Sequence, residues 1–274
     1  MTAEYPYVLV AGKYFCCECN LIPLAWTLLV KARWLNLAAL GIHKRQVPLI
    51  LQSIMRSRKR ALTDSTELLL LPVSGHLCMR VHQGYKVFNF STLTTTKIFD
   101  QKLDPAAIAN EISSIRDAAS LDFAPTLIEV NPGYRWYTET FLTGKRSLKT
   151  EASDPAATFE RFIADHLCQM ILSKPLRPVE PVEYLQEIVK AIDQRLTDLD
   201  NELSRPIRDF TGRIVMRLKA ATKSPIQLAF THGYFSFVNL LYRKNNIAVI
   251  DWESAQQRSI LHDLYNYFLT ELYY

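Results

Sequence analysis

Two polar clusters set in apolar runs near the end of the chain have residue types suited to metal and phosphate chemistry. Residues 228–265 read LAFTHGYFSFVNLLYRKNNIAVIDWESAQQRSILHDLY. The pattern is strand, loop, strand, a turn at Asn245-Asn246, strand, loop and helix. His232-Gly233 and Asn239 lie in the first loop, and Asp251-Trp252-Glu253 directly follows the apolar strand IAVI. An Asp at the end of a buried strand and an Asn twelve residues earlier, across a hairpin, can converge on one point. Such hard oxygen donors suit Mg²⁺ carrying the phosphates of a nucleotide. A turn Asn and a strand-end Asp that merely caps the next segment is the plainer alternative. It suits either residue alone and the combined spacing poorly.

A second pair lies upstream. Lys97 falls in the β-branched run TLTTTKIF, and Glu111 falls in the helix that follows. Asp104-Pro105 opens that helix well, with Asp as N-cap and Pro at the first helical position. Ile108, Ile112, Ile115 and Ala119 recur on one face, and Glu111 sits at the edge of that face. A carboxylate there needs a partner, because an unpaired buried charge is costly. Lys97, on the preceding strand, is the natural candidate, and a strand lysine held by a helix glutamate is how kinases present a lysine to nucleotide phosphates. Otherwise Lys97 edges a strand and Glu111 reaches solvent.

The elements that must position these groups follow from the pattern. ELLLLPV, HLCMRVH, QGYKVFNFS and TLTTTKIF read as strands. After the helix, APTLIEV and YRWYTETFL form a hairpin around Asn131-Pro132-Gly133, and Thr143-Gly144 breaks the chain. This makes 67–143 a strand-rich lobe. Residues 144–274 form a helical lobe carrying the two polar loops. In it Asp154-Pro155 opens one helix, YLQEIVKAIDQRLTDLDNEL forms a second, and a third lies between Pro206 and Lys223. The acids at 180–202 read as a solvated face in preference to an attractor for a cationic acceptor. His166 and Cys168 read as a packed or half-exposed pair and not as ligands.

With these residues in place, the segment resembles the aminoglycoside phosphotransferase and choline kinase family of kinase-like enzymes. That family's pattern is His-Gly-Asp, four residues, Asn, an apolar strand ending Ile-Asp-Trp/Phe-Glu, then Asp-Leu at a helix start. The matches here are His232, Gly233, Asn239, Ile250-Asp251-Trp252-Glu253 and Asp263-Leu264. The resemblance covers about residues 67–274. It implies an α+β, two-lobed protein-kinase-like fold with a β-rich N-lobe, a helical C-lobe and an extra N-terminal helical segment. It further implies ATP and Mg²⁺ as cofactors, with Asn239 and Asp251 holding the metal. Lys97 would hold phosphates and Glu111 would position Lys97. The segment 138–142, with Glu139, Thr140 and Phe141, would supply backbone hydrogen bonds to adenine. His232 would bond within the loop, and Asp263 would brace it.

The chain departs from the family in three places. Tyr234 occupies the position of the Asp that accepts the proton of the substrate hydroxyl. A phenol is a poor base at neutral pH, and losing a general base commonly forfeits ~10²–10⁴ in rate. The sequence ends eleven residues after Asp263, where family members usually continue. No glycine-rich loop is present, and Gly84 alone serves the first hairpin. The expected function is therefore phosphoryl transfer to a small-molecule or sugar hydroxyl, impaired at Tyr234. The alternative is a pseudokinase that binds nucleotide or a partner without catalysis.

Residues 1–66 lie outside the resemblance. Nine Lys/Arg and only two acids fall in residues 1–62, which places +7 there and −2 on the rest. The main body is therefore not a basic nucleic-acid-binding core. Residues 20–41, and VPLILQSIM running into RSRKR, read as helices of a basic, apolar extension. Packing on the body is favoured over an interfacial helix on an anionic membrane, although Trp26 and Trp34 suit a peripheral membrane contact through residues 20–60. Five cysteines without a framework point to reduced thiols and a cytoplasmic setting, with Cys16, Cys17 and Cys19 on a strand or turn. No run is long and uncharged enough for a membrane-spanning helix.

Overall fold

The computed structural model describes residues 4–10, 12–19, 21–30, 40, 42–61, 68–131, 133, 135–144, 163–197, 201–221, 224–243 and 246–273. Strands β1 (Tyr5–Val10) and β2 (Lys13–Cys16) pair antiparallel around a turn in which Gly12 has φ 77°, a left-handed conformation open to glycine. Helices α1 (Leu21–Leu29) and α2 (Val47–Ala61) follow, with Pro48 tolerated in the first turn of α2. Then come β3 (Leu69–Leu71), β4 (Leu77–Val81), β5 (Gly84–Asn89), β6 (Thr94–Phe99), α3 (Pro105–Ala118), β7 (Leu127–Val130) and β8 (Trp136–Thr140).

These eight strands form one antiparallel sheet in the order β3-β1-β2-β4-β5-β6-β8-β7. Residues 5–16, inside the segment expected to be a helical extension, are therefore strands that lengthen the sheet. Period-two alternation is the reason: Val8 and Val10 face the α1–α2 side, whereas Tyr5 and Tyr7 face the other. The reading of residues 20–60 as helices holds for α1 and α2, while most of 30–41, with Trp34, falls outside the described residues.

Hydrophobic cores lie on both faces of the sheet. On one face, Leu24, Leu28, Val47, Ile50 and Ile54 of the two helices pack on Phe15, Leu77, Phe88 and Phe90. The positions of Val47, Ile50 and Ile54 are one stripe of α2. On the other face lie Tyr7, Cys16, Leu71, Cys78, Val87 and Ile98. A third and larger core joins α3 to the second lobe through Ile108, Ile112, Ile115, Phe123, Phe230 and Trp252.

The second lobe carries α4 (Asp165–Leu172), β9 (Arg177–Val179), α5 (Pro181–Leu196), α6 (Asn201–Ala221), β10 (Ile226–Thr231), β11 (Leu240–Arg243), β12 (Asn246–Val249), β13 (Gln256–Ser259) and α7 (His262–Tyr273). β13, β10 and β9 form a small sheet, and β11–β12 is a hairpin. The helix expected to open at Asp154-Pro155 begins outside the described residues. Residues 174–183, KPLRPVEPVE, contain β9, whose Pro178 pairs at a sheet edge opposite Gln227. Pro206 lies inside α6 and does not start it.

Candidate nucleotide site

Lys97 and Glu111 meet. Asp104 caps α3 by accepting from the Ala106 N–H at 3.0 Å, and burial of Ile108, Ile112 and Ile115 fixes the helix against the core. That rotation turns Glu111 inward, 6% exposed. Lys97, on the inner face of β6, places its Nζ 2.7 Å from Glu111 Oε1 and 2.9 Å from Oε2. Tyr137 on β8 donates its hydroxyl to Glu111 Oε1 at 3.0 Å. Burial pushes the Glu111 carboxyl up, and Lys97 opposes that shift. Glu253 supplies a second carboxylate, its Oε2 2.6 Å from the Lys97 ammonium.

The loop after β10 is held by the start of α7. Asp263 accepts the backbone N–H of His232 at 2.6 Å and of Gly233 at 2.9 Å. His232 Nδ1 accepts the Tyr234 N–H at 3.2 Å, so Nε2 carries the proton and donates to the Ile250 carbonyl at 2.8 Å. Burial lowers the His232 pKa and keeps this neutral tautomer. Gly233 has φ 89°, and a Cβ there would lie 2.5 Å from the Ser254 carbonyl oxygen. Asn239 donates its side-chain N–H to the Tyr234 carbonyl at 3.0 Å. Tyr234 itself is 46% exposed.

The second loop begins at Asp251, whose backbone is left-handed at φ 64°, ψ 54°. Trp252 anchors it by donating Nε1–H to the Val249 carbonyl at 2.8 Å and by stacking on Phe230. A non-glycine residue in this conformation is costly and persists only where its surroundings impose it.

Between the lobes lies a cavity of about 220 Å³ whose lining includes Lys86, Thr95, Glu139, Phe141, Leu241 and Asp251. Within the segment 138–142, the Thr140 N–H donates to the Thr126 carbonyl at 3.0 Å and the Phe141 N–H to the Leu93 carbonyl at 2.7 Å. Glu139, Thr140, Phe141 and Leu142 all line the cavity. Burial drives the Glu139 carboxyl up to about 7, with Asp251 and Glu111 adding to the shift and Lys86 opposing it.

Sequence reasoning missed Lys86. Its ammonium, on β5, is ion-paired to Asp251 Oδ1. Burial pulls the Lys86 pKa down, and Asp251 with Glu139 more than reverses that, so the group stays charged. The available signal was period two: Lys86 and Phe88 share a face. Glu253 was legible as part of a motif but not as the partner of Lys97.

The Asn239 side-chain oxygen and the Asp251 carboxylate are donors that suit Mg²⁺ by chemistry. The arrangement around them does not fit a ready metal site, because Asp251 Oδ1 already holds an ammonium. Among the described residues there is no group of three His, Cys, Asp or Glu arranged for a metal.

No family model matches the sequence, and no curated protein does. Solved structures do match. A choline/ethanolamine kinase family protein from Mesorhizobium loti aligns at TM-score 0.51 and 18% identity, over 72% of this chain and 64% of that one. Choline kinase LicA from Streptococcus pneumoniae aligns at TM-score 0.50 and 14% identity, over 82% of this chain and 76% of that one. Aminoglycoside phosphotransferase APH(3'')-Id from Streptomyces rimosus aligns at TM-score 0.47 and 15% identity, over 71% and 76%. The first two establish the fold: a two-lobed kinase-like α+β architecture of the kind found in choline kinases.

Proposed function

We propose that this chain binds a nucleotide between its lobes and is a small-molecule phosphotransferase whose transfer step is impaired at Tyr234. The observation that carries this reading is the placement of Lys97 between Glu111 and Glu253, beside a cavity lined by Asp251. A buried lysine–glutamate pair has little net value for stability, so its presence at a cleft is better explained by a ligand. ATP is the nucleotide that the family resemblance implies. The acceptor would be a hydroxyl compound. Tyr234 stands where a base would take its proton, so the chain retains binding groups and lacks the proton acceptor.

A pseudokinase is the second reading, and the Lys86–Asp251 pair favours it, because it places a fixed cation on the carboxylate expected to hold a metal. Calorimetric titration with ATP and ADP tests what both readings share. Saturable binding, weakened at least about tenfold by Lys97→Met through loss of a charge-assisted contact, is the expected result. Absence of saturable binding by the intact chain overturns it. Turnover separates the two readings: the impaired enzyme shows slow transfer, far below the ~1–100 s⁻¹ of kinases, and the pseudokinase shows none.

A peripheral membrane contact through residues 20–60 is part of the same proposal. Ile22, Trp26, Val30 and Met55 line an apolar groove between α1 and α2, beside the exposed Arg56 and Lys59. Sedimentation with anionic and neutral vesicles tests it, and equal absence from both pellets overturns it.

A further inference from the structure

Lys86 and Lys97 face each other across the β5–β6 ladder, and both side chains point to the cavity face. Lys97 is committed to Glu111 and Glu253. Lys86 crosses between the lobes to Asp251, a residue 165 positions away. The Lys86 side chain is 15% exposed and the Asp251 side chain 35%.

Neither partner is free to leave easily. At the base of β5, Gly84 has φ 154°, and a Cβ there would lie 1.9 Å from the Ile98 carbonyl oxygen, so this end of the hairpin is clamped onto β6. Asp251 is held by its left-handed backbone and by the anchored Trp252. A divalent cation binding Asp251 would have to displace the ammonium. That would leave a largely buried lysine with Glu139 as the remaining carboxylate in the cavity lining. Lys86 and a metal therefore compete for one carboxylate. The lysine is covalently tethered, whereas the metal must be recruited from solution and give up water.

We propose that Lys86 is the built-in cation of this site, neutralising Asp251 in place of a divalent metal, so that the pocket takes nucleotide phosphate without Mg²⁺. An ammonium has three donors and can join a carboxylate to a phosphate oxygen at the same time. The inference rests on the nucleotide reading above and goes beyond it by assigning Lys86 a role and removing the metal requirement.

The test is calorimetric titration with ADP and ATP, in Mg²⁺ and in EDTA, of the intact chain, Lys86→Met and Lys86→Arg. Thermal unfolding of each protein without ligand checks folding. Wild-type affinity should be the same in the two buffers to within about threefold, since no bound metal is needed. Lys86→Met should lose about tenfold or more in EDTA, the worth of a charge-assisted hydrogen bond, and recover in Mg²⁺ once Asp251 is cleared. Lys86→Arg keeps the charge and should bind in EDTA. Wild-type binding that requires Mg²⁺ overturns this inference and leaves the nucleotide reading standing. So does Lys86→Met binding in EDTA as tightly as wild type. Failure of wild type to bind in either buffer overturns the nucleotide reading and this inference with it.

Discussion

Lys86 and Lys97 occupy directly opposed positions on neighbouring strands, yet their ammonium groups serve different carboxylates. Like charges in that position repel and weaken a sheet unless each is compensated. Glu111 and Glu253 compensate one, and Asp251 compensates the other. Lys86 therefore lines the cavity together with Asp251 and Glu139, whereas Lys97 is 1% exposed and lies outside that lining.

Lys97→Met should be among the most destabilising single changes in the first lobe. It strands Glu111 in a buried site, and breaking a buried pair costs ~3–5 kcal/mol. The deficit should shrink at acid pH, where Glu111, already raised by burial, takes up a proton. Replacing both residues by methionine should recover most of the loss. Denaturant unfolding of the two variants at pH 7 and pH 5 measures this.

Glu139 gives the fold a specific pH response. Its carboxyl is raised to about 7 in the folded chain, so the folded state holds a proton that the unfolded state has released. Its contribution to stability is full below the unfolded value of ~4.3 and is lost as pH rises through about 7. Glu139→Gln should remove that component. The variant's melting temperature should gain on wild type between pH 5 and pH 8, and parallel curves would contradict the assignment.

Two changes together should restore transfer where one does not. Tyr234→Asp supplies a proton acceptor, and Lys86→Met clears Asp251 for Mg²⁺. Tyr234 is 46% exposed, so its replacement should cost little stability. In Mg²⁺ the double variant should hydrolyse or transfer from ATP about tenfold or more faster than either single variant, within the ~10²–10⁴ that a general base commonly contributes. Equal rates for the double variant and Tyr234→Asp would show that Lys86 does not limit turnover.

The loop at 232–234 should depend on Asp263 more than on any single loop side chain. Asp263→Ala leaves the buried His232 N–H without its acceptor, at ~1–3 kcal/mol, and the half-buried Gly233 N–H as well, at a smaller cost. Gly233→Ala meets the Ser254 carbonyl at 2.5 Å and should also destabilise, by ~1–3 kcal/mol. Faster amide exchange at 232–239 in both variants, with β1–β2 unchanged, is the expected signature.

The sequence by itself determined what is local. Asp104-Pro105, the isoleucine stripe and Glu111 at its edge specify α3 and the direction of that carboxylate, because helix geometry relates residues three and four apart. The His232–Asn239 and Ile250–Glu253 spacings were legible for the same reason, since each lies within one short loop. Tertiary structure decided what depends on distant strands meeting. Residues 5–16 became sheet because β2 found β4, some sixty residues later, as a pairing edge. Residues 20–41 and 47–60 were readable as helices from their apolar runs, but the face that α1 and α2 cover follows from that pairing. Lys86 looked like an ordinary strand lysine, and only docking of the lobes brought Asp251 to it. The strand pattern could assign Lys86 a face of the sheet, but not what stands opposite that face.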